Sequence, residues 1–256
     1  MYQSDISSNL LFHYTKNPEI VISILEKGFY PRVALEDASF ILPNYDKQTI
    51  GIPMVCFTDI PYNLATEHRS EYGSFGIGLK KEWGIKNGIC PIAYFVRGTK
   101  ANATYNKLQK LLIDYALKLD DGVHRKKKQK QKHTEHRDEA LNILIEYAGF
   151  LKIYSEDVYT NIKPYYNERE WRYLPPFIDE KTEKTGYCNR LLTNDCTEKN
   201  KLNKYMEEHY TLNFTLIDLE MLIVPEEAKD NLKRLIQQSS LERKSEYIDK
   251  IVGYVD

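Results

Sequence analysis

The run from Leu10 to Phe29 constrains the fold more than any other part of the sequence. It opens with the apolar residues Leu10 to Phe12 and continues into Tyr14 and Thr15, two residue types that favour extended backbone. This pattern predicts a short buried strand that carries His13 to its exposed end. An imidazole in that position is a candidate functional group, and a histidine hydrogen-bonded for structural reasons is the alternative.

A helix is predicted directly after this strand. Asn17 is a residue type that caps helices, and Pro18 suits the first helical position because its fixed φ is already helical. Four apolar residues form a stripe along the helix: Ile20, Val21, Ile24 and Leu25. Gly28 stands where the helix should end. Strand, polar corner and helix together suit a site at the end of a strand.

Composition indicates a soluble globular protein. The length of 256 residues suffices for one large domain or two small ones with a sizeable core. The residues are 42% hydrophobic and 29% charged, which is ordinary for this class of protein. The net charge of -1 gives no preference among partners. No apolar run is long enough to span a bilayer, and the first residues lack the basic start and apolar core of a signal peptide. We therefore expect a cytoplasmic protein with no membrane partner.

The cysteines indicate reduced thiols and predict no metal site. The four residues are Cys56, Cys90, Cys188 and Cys196, and their spacing does not match a pair of zinc ligands. Cys56 and Cys90 lie within apolar runs, so we expect both to be buried thiols in a reducing compartment.

The rest of the chain alternates predicted strands with two long helices. Strand patterns occupy the segments 54–57, 72–79, 89–96, 165–176 and 221–224, and a last strand is expected within 247–254. Helices rich in leucine over 106–119 and 138–151 predict a helical insertion at about 99–151. Two polar segments are expected to be loops: 31–50, with or without a short helix, and 181–203. No repeat or linker divides the chain, so we predict one domain over residues 1–256.

Two glutamates stand close together late in the chain. If residues 165–176 form one strand, Glu168, Glu170 and Arg172 share a face, because side chains alternate with a period of two. Carboxylates bounded by aromatic residues are costly to bury unless they are paired or used in chemistry. A surface strand with cross-paired charges is the alternative. Tyr72, just before a glycine-bearing strand, is a further candidate, with a packing ring as its alternative.

A basic run separates the two predicted helices. Residues 125–132 read Arg-Lys-Lys-Lys-Gln-Lys-Gln-Lys. A solvated loop between helices is the ordinary interpretation. Contacts to RNA phosphates are the alternative, although no aromatic residue is interleaved for stacking on single-stranded bases.

Several of these motifs resemble known families. The His-x-Thr strand, the helix that ends at Gly28, the strand at 55–59 and the late Glu-x-Glu resemble the ADP-ribosyltransferase fold. The segments 50–61 and 72–88 are similar to the AbiGi family of abortive phage-resistance proteins, a likeness that covers most of the chain. These resemblances imply an α+β fold with an ADP-ribosyltransferase-like split, mostly antiparallel sheet and a helical insertion.

The transferase resemblance implies a site of the His-Tyr-Glu type with NAD as substrate. His13 would hydrogen-bond the NAD ribose, and Tyr72 would stack on nicotinamide. Glu170 would stabilise the positive charge that develops as nicotinamide leaves, and Glu168 would orient the acceptor, although the choice between the two glutamates stays open. Further contacts to NAD are implied for Tyr14, Thr15, Thr58 and Arg32, with Arg97 as a second candidate for the pyrophosphate.

The implied function is phage defence by transfer of ADP-ribose from NAD to a macromolecular acceptor, either protein or nucleic acid. The alternative is a catalytically inactive binding module that acts as an antitoxin toward a partner toxin or senses a phage protein. The two differ in whether the chain binds NAD at all.

Overall fold

The structure, a computed structural model, describes residues 7–37, 49–118, 143, 146–155, 164–176, 178–179, 184–185 and 196–255. The basic run at 125–132 and most of the second predicted helix lie outside these residues. The side chains of a few residues inside these ranges are also not described.

The elements follow the order of the chain. The strands are β1 (Leu10–Thr15), β2 (Arg32–Asp37), β3 (Thr49–Thr58), β4 (Phe75–Lys80), β5 (Cys90–Pro91), β6 (Ala93–Phe95), β7 (Leu151–Ile153), β8 (Glu170–Tyr173), β9 (Ile178–Asp179), β10 (Lys184–Thr185), β11 (Leu219–Pro225) and β12 (Ile251–Tyr254). The helices are α1 (Pro18–Lys27), α2 (Thr66–Tyr72), α3 (Lys81–Lys86), α4 (Lys100–Lys118), α5 (Cys196–His209), α6 (Lys229–Gln238) and α7 (Lys244–Ile248). Short 3₁₀ helices occupy Tyr62–Leu64, Tyr165–Glu168 and Glu226–Ala228.

Strand pairing confirms a mixed α and β fold with a mostly antiparallel sheet. The main sheet has the order β12-β11-β4-β1-β3-β8-β5, and β2 pairs with β3 outside this path. Its pairs are antiparallel except for β11 with β12. β6 and β7 form a separate parallel pair. The chain therefore leaves this small pair after β6, enters α4, and returns to it in β7.

Alternation along β1 divides the core between the two faces of the sheet. Leu11 belongs to the larger cluster, which also takes the apolar side of α1: Val21, Ile24 and Leu25. Phe12 belongs to a cluster on the other face, together with Tyr14, Ala65 and Ile223. Burial on both faces accounts for the nearly continuous apolar character of this strand.

Helix α1 has the predicted boundaries and a narrower buried stripe than predicted. It begins at Pro18, and Gly28 follows its last residue with φ 80, a conformation that glycine adopts without steric cost. Asn17 occupies the capping position, but its side chain makes no capping hydrogen bond. Ile20 is 43% exposed, so it lies outside the buried stripe.

The main sheet opens between β1 and β3. β1 pairs with β4 over all six of its residues, whereas it pairs with β3 only where Phe12 meets Thr58. Beyond that point the imidazole of His13, rather than a backbone N–H, reaches the carbonyl oxygen of Cys56, with 2.9 Å between Nδ1 and the oxygen. Two neighbouring strands of one sheet thus diverge and leave space between them.

Two segments predicted as loops contain regular structure. Within 31–50, residues 32–37 form β2, because pairing with the long β3 satisfies their backbone groups. Within 181–203, α5 begins at Cys196 and buries Leu202 and Met206 against β2 and β3. The sequence of α5 looks polar because only a narrow stripe of it is buried.

Three predicted strands have different limits in the structure. The segment 165–176 is a 3₁₀ turn followed by β8, which starts only at Glu170. Tyr72 ends α2 and does not lie in β4. The segment 89–96 is divided at Ile92 into β5, at the edge of the main sheet as Pro91 predicted, and β6.

The position of His13 also differs from the prediction. His13 lies inside β1 and not at its end, so its side chain can reach a site only because β3 diverges from β1.

Gly73 is the position where an added side chain should disturb this arrangement most. It has φ 127, and a Cβ there would lie 2.2 Å from the carbonyl carbon of Thr15. We expect Gly73→Ala to lower the free energy of unfolding by about 3 kcal/mol or more, because the strained φ and the overlap with rigid backbone act together. Gly88→Ala is the control: φ is 78 but nothing lies within 4 Å, so we expect about 1 kcal/mol. Urea denaturation compares the two, and equal costs would contradict the close approach of Gly73 to β1.

Candidate ligand-binding site

A cavity of about 240 Å³ lies where β1 and β3 separate. The two strands contribute five residues to its walls: Phe12, His13, Tyr14, Cys56 and Phe57. Helix α2 contributes His68 and Tyr72, and the charged side is formed by Glu36, Lys152, Glu168 and Glu170. The four residues predicted as catalytic, His13, Tyr72, Glu168 and Glu170, are therefore brought together at one cavity.

His13 presents one ring nitrogen to the backbone. Because its Nδ1 lies 2.9 Å from the carbonyl oxygen of Cys56, the geometry assigns the proton to Nδ1 and leaves Nε2 as an acceptor in the neutral ring. The edges of Phe29 and Phe57 pack on the imidazole, with centroid distances of 5.1 and 5.8 Å. Burial lowers the pKa of His13, and the hydrogen bond to Cys56 opposes this only in part. The imidazole is therefore neutral at pH 7.

The two glutamates share one lysine. Nζ of Lys152 donates to Oε2 of Glu168 at 2.7 Å and to Oε2 of Glu170 at 3.1 Å. The guanidinium of Arg172 donates to Glu170 as well, from Nε to Oε1 at 2.6 Å and from Nη2 to Oε2 at 3.1 Å. Both carboxylate oxygens of Glu170 therefore face cationic donors.

Arg172 is the most deeply placed charge of this network. Its side chain is fully buried, and its remaining donors reach the carbonyl oxygen of Gly149 at 2.7 Å and Oε1 of Glu36 at 2.8 Å. The guanidinium thereby links β8 to β2 and to the turn before β7. A planar fork with several donors suits this role better than an ammonium would.

The network keeps Glu170 ionised. Burial alone would raise the pKa of this carboxyl, but the charges of Arg172 and Lys152, together with hydrogen bonds from Arg172 and Cys56, lower it to about 2. Burial likewise disfavours the charged form of Lys152, yet Glu170 and Glu168 outweigh it and raise the pKa of the ammonium. Burial raises the pKa of Glu36 against the opposing charge of Arg172. Glu170 is thus an anion at neutral pH and suits electrostatic stabilisation rather than proton donation.

A residue in the left-handed backbone conformation sets the direction in which the side chains of Glu168 and Glu170 point. Arg169 has φ 48 and joins the 3₁₀ turn that ends at Glu168 to the start of β8. Its Nε lies 3.3 Å from Oδ1 of Asp59, the residue after β3. Oγ1 of Thr58 donates to the carbonyl oxygen of Glu168 at 2.7 Å. The end of β3 thus holds the turn that aims both carboxylates into the cavity.

Aromatic rings form another part of the cavity wall. The centroids of His68 and Tyr72 lie 4.5 Å apart, and those of His68 and Tyr14 lie 5.4 Å apart. Tyr72 is 38% exposed and stands at the mouth of the cavity. Burial, and then the charge of Glu168, raise the pKa of its hydroxyl, so the phenol keeps its proton at neutral pH. A flat ligand ring in this cavity can therefore contact aromatic side chains as well as carboxylates.

The predicted NAD contacts are only partly brought to this cavity. Tyr14 lines it. Thr15 and Thr58 do not: Oγ1 of Thr15 bonds the backbone of Asn17, and Thr58 supports the segment of Glu168. Arg32 is exposed and forms an ion pair with Glu207 at 2.8 Å, which directs its guanidinium toward α5 rather than into the cavity. Arg97 is exposed in the turn after β6 and is not among the lining residues.

The lining residues that sequence reasoning missed include Lys152, Glu36 and His68. Lys152 interrupts an apolar run, Phe150-Leu151-Lys152-Ile153, and this single charge was an available signal. Glu36 gave none, because β2 was expected to be a loop. His68 lies on α2 one turn before Tyr72, so the ring contact between them follows from helical spacing once the helix is known.

Cys56 and Cys90 are free thiols, as predicted, but each is half-buried where a buried thiol was expected. Burial, followed by the charge of Glu170, raises the pKa of the Cys56 thiol, so it is not a thiolate nucleophile at neutral pH. Over the described residues, no group of three or more His, Cys, Asp or Glu side chains is placed to hold a metal ion. Over the same ranges, no helix is long and apolar enough to cross a membrane.

Comparison with known proteins identifies the family. The family model described as abortive phage resistance protein AbiGi, antitoxin, matches residues 27–225, so the chain belongs to the AbiGi family. The abortive phage resistance protein AbiGi of Lactococcus lactis subsp. cremoris is 26% identical over 220 residues, which cover 77% of this chain and 82% of that protein. No solved structure matches the chain, so the ADP-ribosyltransferase-like fold stays a prediction.

The lowered pKa of Glu170 predicts an acid-labile part of the stability. Because its folded pKa of about 2 lies below the ordinary 4.5, the ionised carboxylate contributes above pH 4.5, and this contribution is lost as the pH falls toward 2. The shift corresponds to on the order of 3 kcal/mol. We expect the free energy of unfolding to fall less steeply between pH 5 and about 2 in Glu170→Gln than in the unsubstituted protein.

Urea denaturation across this pH range measures the difference. The pH slope of the Glu170→Gln variant is compared with that of the unsubstituted protein because the raised pKa of Glu36 adds stability as the pH falls, opposite to the effect of Glu170. Glu220→Gln, an exposed glutamate on β11, is the control and should leave the slope unchanged. Identical slopes for all three proteins would contradict the ion pairing of Glu170.

Proposed function

We propose that this AbiGi-family protein transfers ADP-ribose from NAD to a macromolecular acceptor during abortive infection. The observation that carries the proposal is convergence: His13, Tyr72 and the pair Glu168 and Glu170 come from three distant parts of the sequence and line one cavity. If each of these residues had only a local structural role, nothing would require them to share one cavity.

The chemistry needs a fixed anion beside a developing cation. The bond between nicotinamide and C1′ of the ribose breaks, nicotinamide leaves with the electron pair, and C1′ acquires oxocarbenium character. A nucleophile of the acceptor then forms a bond to C1′ and loses its proton. Glu170, ionised and 8% exposed at its side chain, is suited to stabilise the cationic ribose.

The other residues have roles that fit their positions. Nε2 of His13 can accept a hydrogen bond from a ribose hydroxyl, because Nδ1 is committed to Cys56. The ring of Tyr72 can cover nicotinamide at the mouth of the cavity. The volume of about 240 Å³ is below the roughly 300–1,000 Å³ typical of ligand pockets. The cavity would therefore take the nicotinamide end of NAD, with the adenylate end outside it.

Consumption of NAD by the purified protein tests the proposal. We expect Glu170→Gln and His13→Ala each to lower turnover at least about a hundredfold, because each removes a group that would touch the reacting sugar. Glu220→Gln should retain full turnover. Release of nicotinamide and labelling of acceptors in a lysate of phage-infected cells are followed in parallel. No NAD consumption under any of these conditions, or equal consumption by all four proteins, would refute the transferase proposal.

A second candidate function is that of an antitoxin that neutralises a partner protein. Two observations favour it: the family model is described as an antitoxin, and both oxygens of Glu170 are already engaged by cations. A compensated carboxylate stabilises a developing positive charge less than a free one does. The partner would be a toxin or a phage protein.

Co-purification with the product of a neighbouring gene tests this candidate. We expect a stable complex, no heat of NAD binding, and full protection of the cell by Glu170→Gln. Loss of protection in Glu170→Gln, with the fold and the complex intact, would contradict a role limited to binding.

A further inference from the structure

We propose that Lys152 is a resident counter-ion that a cationic ring must displace from Glu168 and Glu170 when it enters the cavity, so that this lysine selects ligands by charge. The inference rests on the proposed function, because the nicotinamide ring of NAD is a pyridinium cation. The reduced dihydropyridine ring has the same size and carries no charge. Lys152 would thus set how the cavity distinguishes the two forms.

The first support is the position of the ammonium. Nζ of Lys152 lies 2.7 Å from Oε2 of Glu168 and 3.1 Å from Oε2 of Glu170, between the carboxylates that face the cavity. It also lies 4.8 Å from the ring centroid of Tyr165. Its side chain is 17% exposed. The place that two carboxylates make favourable for a positive charge is therefore occupied by the protein's own cation.

The second support is the difference between the two cations of the network. Arg172 is fully buried and fixed by bonds to three partners: Glu36, Gly149 and Glu170. Lys152 has ion pairs only with the two glutamates among the described residues, and it is attached to a flexible stem. It comes from β7, which pairs with β6 outside the main sheet. The ammonium can thus withdraw while Arg172 keeps the charge of Glu170 partly balanced.

The third support is the aromatic part of the cavity wall. His68 and Tyr72 line the cavity with their ring centroids 4.5 Å apart, and Tyr72 stands at the mouth. Aromatic faces attract a cationic ring as well as stacking on it. A flat cation that replaces Lys152 would meet both the carboxylates and these aromatic rings. A neutral ring would gain no electrostatic compensation for the displaced lysine.

Calorimetry with nicotinamide mononucleotide and with its reduced form tests the inference. We expect Lys152→Met to bind the oxidised, cationic form about tenfold more tightly than the unsubstituted protein does, because the competing charge is gone. Affinity for the reduced form should change less than about twofold. Lys152→Arg keeps the competing charge and should resemble the unsubstituted protein. The double variant Lys152→Met with Glu168→Gln should lose most of the gain, since it also removes one carboxylate.

Three outcomes would overturn the inference. They are weaker binding of the oxidised form by Lys152→Met, an equal change for both forms, and no binding of either form by any of the proteins. Neither ligand carries ADP, so binding is measured apart from transfer. A charge-selective gain without NAD turnover would count against the transferase proposal alone, and turnover without that gain would count against the role of Lys152 alone.

A measurement on the unsubstituted protein covers the case in which Lys152→Met does not fold. Acylation of lysines by an N-hydroxysuccinimide ester, read by mass spectrometry, reports how accessible Lys152 is. We expect the oxidised mononucleotide to increase labelling of Lys152 severalfold relative to exposed Lys204, and the reduced form to leave it unchanged. Equal labelling of Lys152 with and without the oxidised form would again overturn the inference.

Discussion

The ion pair between Arg172 and Glu170 is the interaction on which the candidate site depends. A buried guanidinium holds the carboxylate, reaches Glu36 on a second strand, and bonds the carbonyl oxygen of Gly149. Taking such charges out of water is expensive, and an apolar cluster of the same volume could stabilise a fold equally well. What the network does supply is an ionised carboxylate in a cavity, where burial alone would suppress ionisation.

The cavity itself results from how the sheet is built. β1 stays paired with β4 along its whole length and leaves β3 after one registered position. The imidazole of His13 spans the opening and replaces a backbone hydrogen bond, which both stabilises the divergence and fixes its own tautomer. Arg169, in a left-handed conformation, then turns the chain so that Glu168 and Glu170 face the same opening. The divergence of β1 from β3 and the left-handed backbone at Arg169 are thus the features that give the site its shape.

Prediction from sequence succeeded where a pattern was strong and local. The strand at β1, the helix bounded by Pro18 and Gly28, and the edge position of Pro91 follow from periodicity and from the backbone limits of proline and glycine. It failed where tertiary pairing decides: β2 forms only because β3 offers it a partner, and α5 is stabilised by two buried residues on a polar helix. Convergence at the cavity was expected from the family resemblance, but Glu36 reaches it through a strand pairing that no local pattern reveals. The charge of Lys152 within an apolar run marks the residue but does not say where its ammonium lies.

The two candidate functions assign different meanings to one charged cavity, and a bound ligand distinguishes them most directly. The decisive measurement is a crystal structure of the protein soaked with NAD. Our account predicts the nicotinamide ring in contact with Tyr72 and with the carboxylates of Glu168 and Glu170, with the ammonium of Lys152 withdrawn from both. A structure at saturating NAD with Lys152 still bridging the two glutamates, and no nucleotide in the opening between β1 and β3, would contradict it.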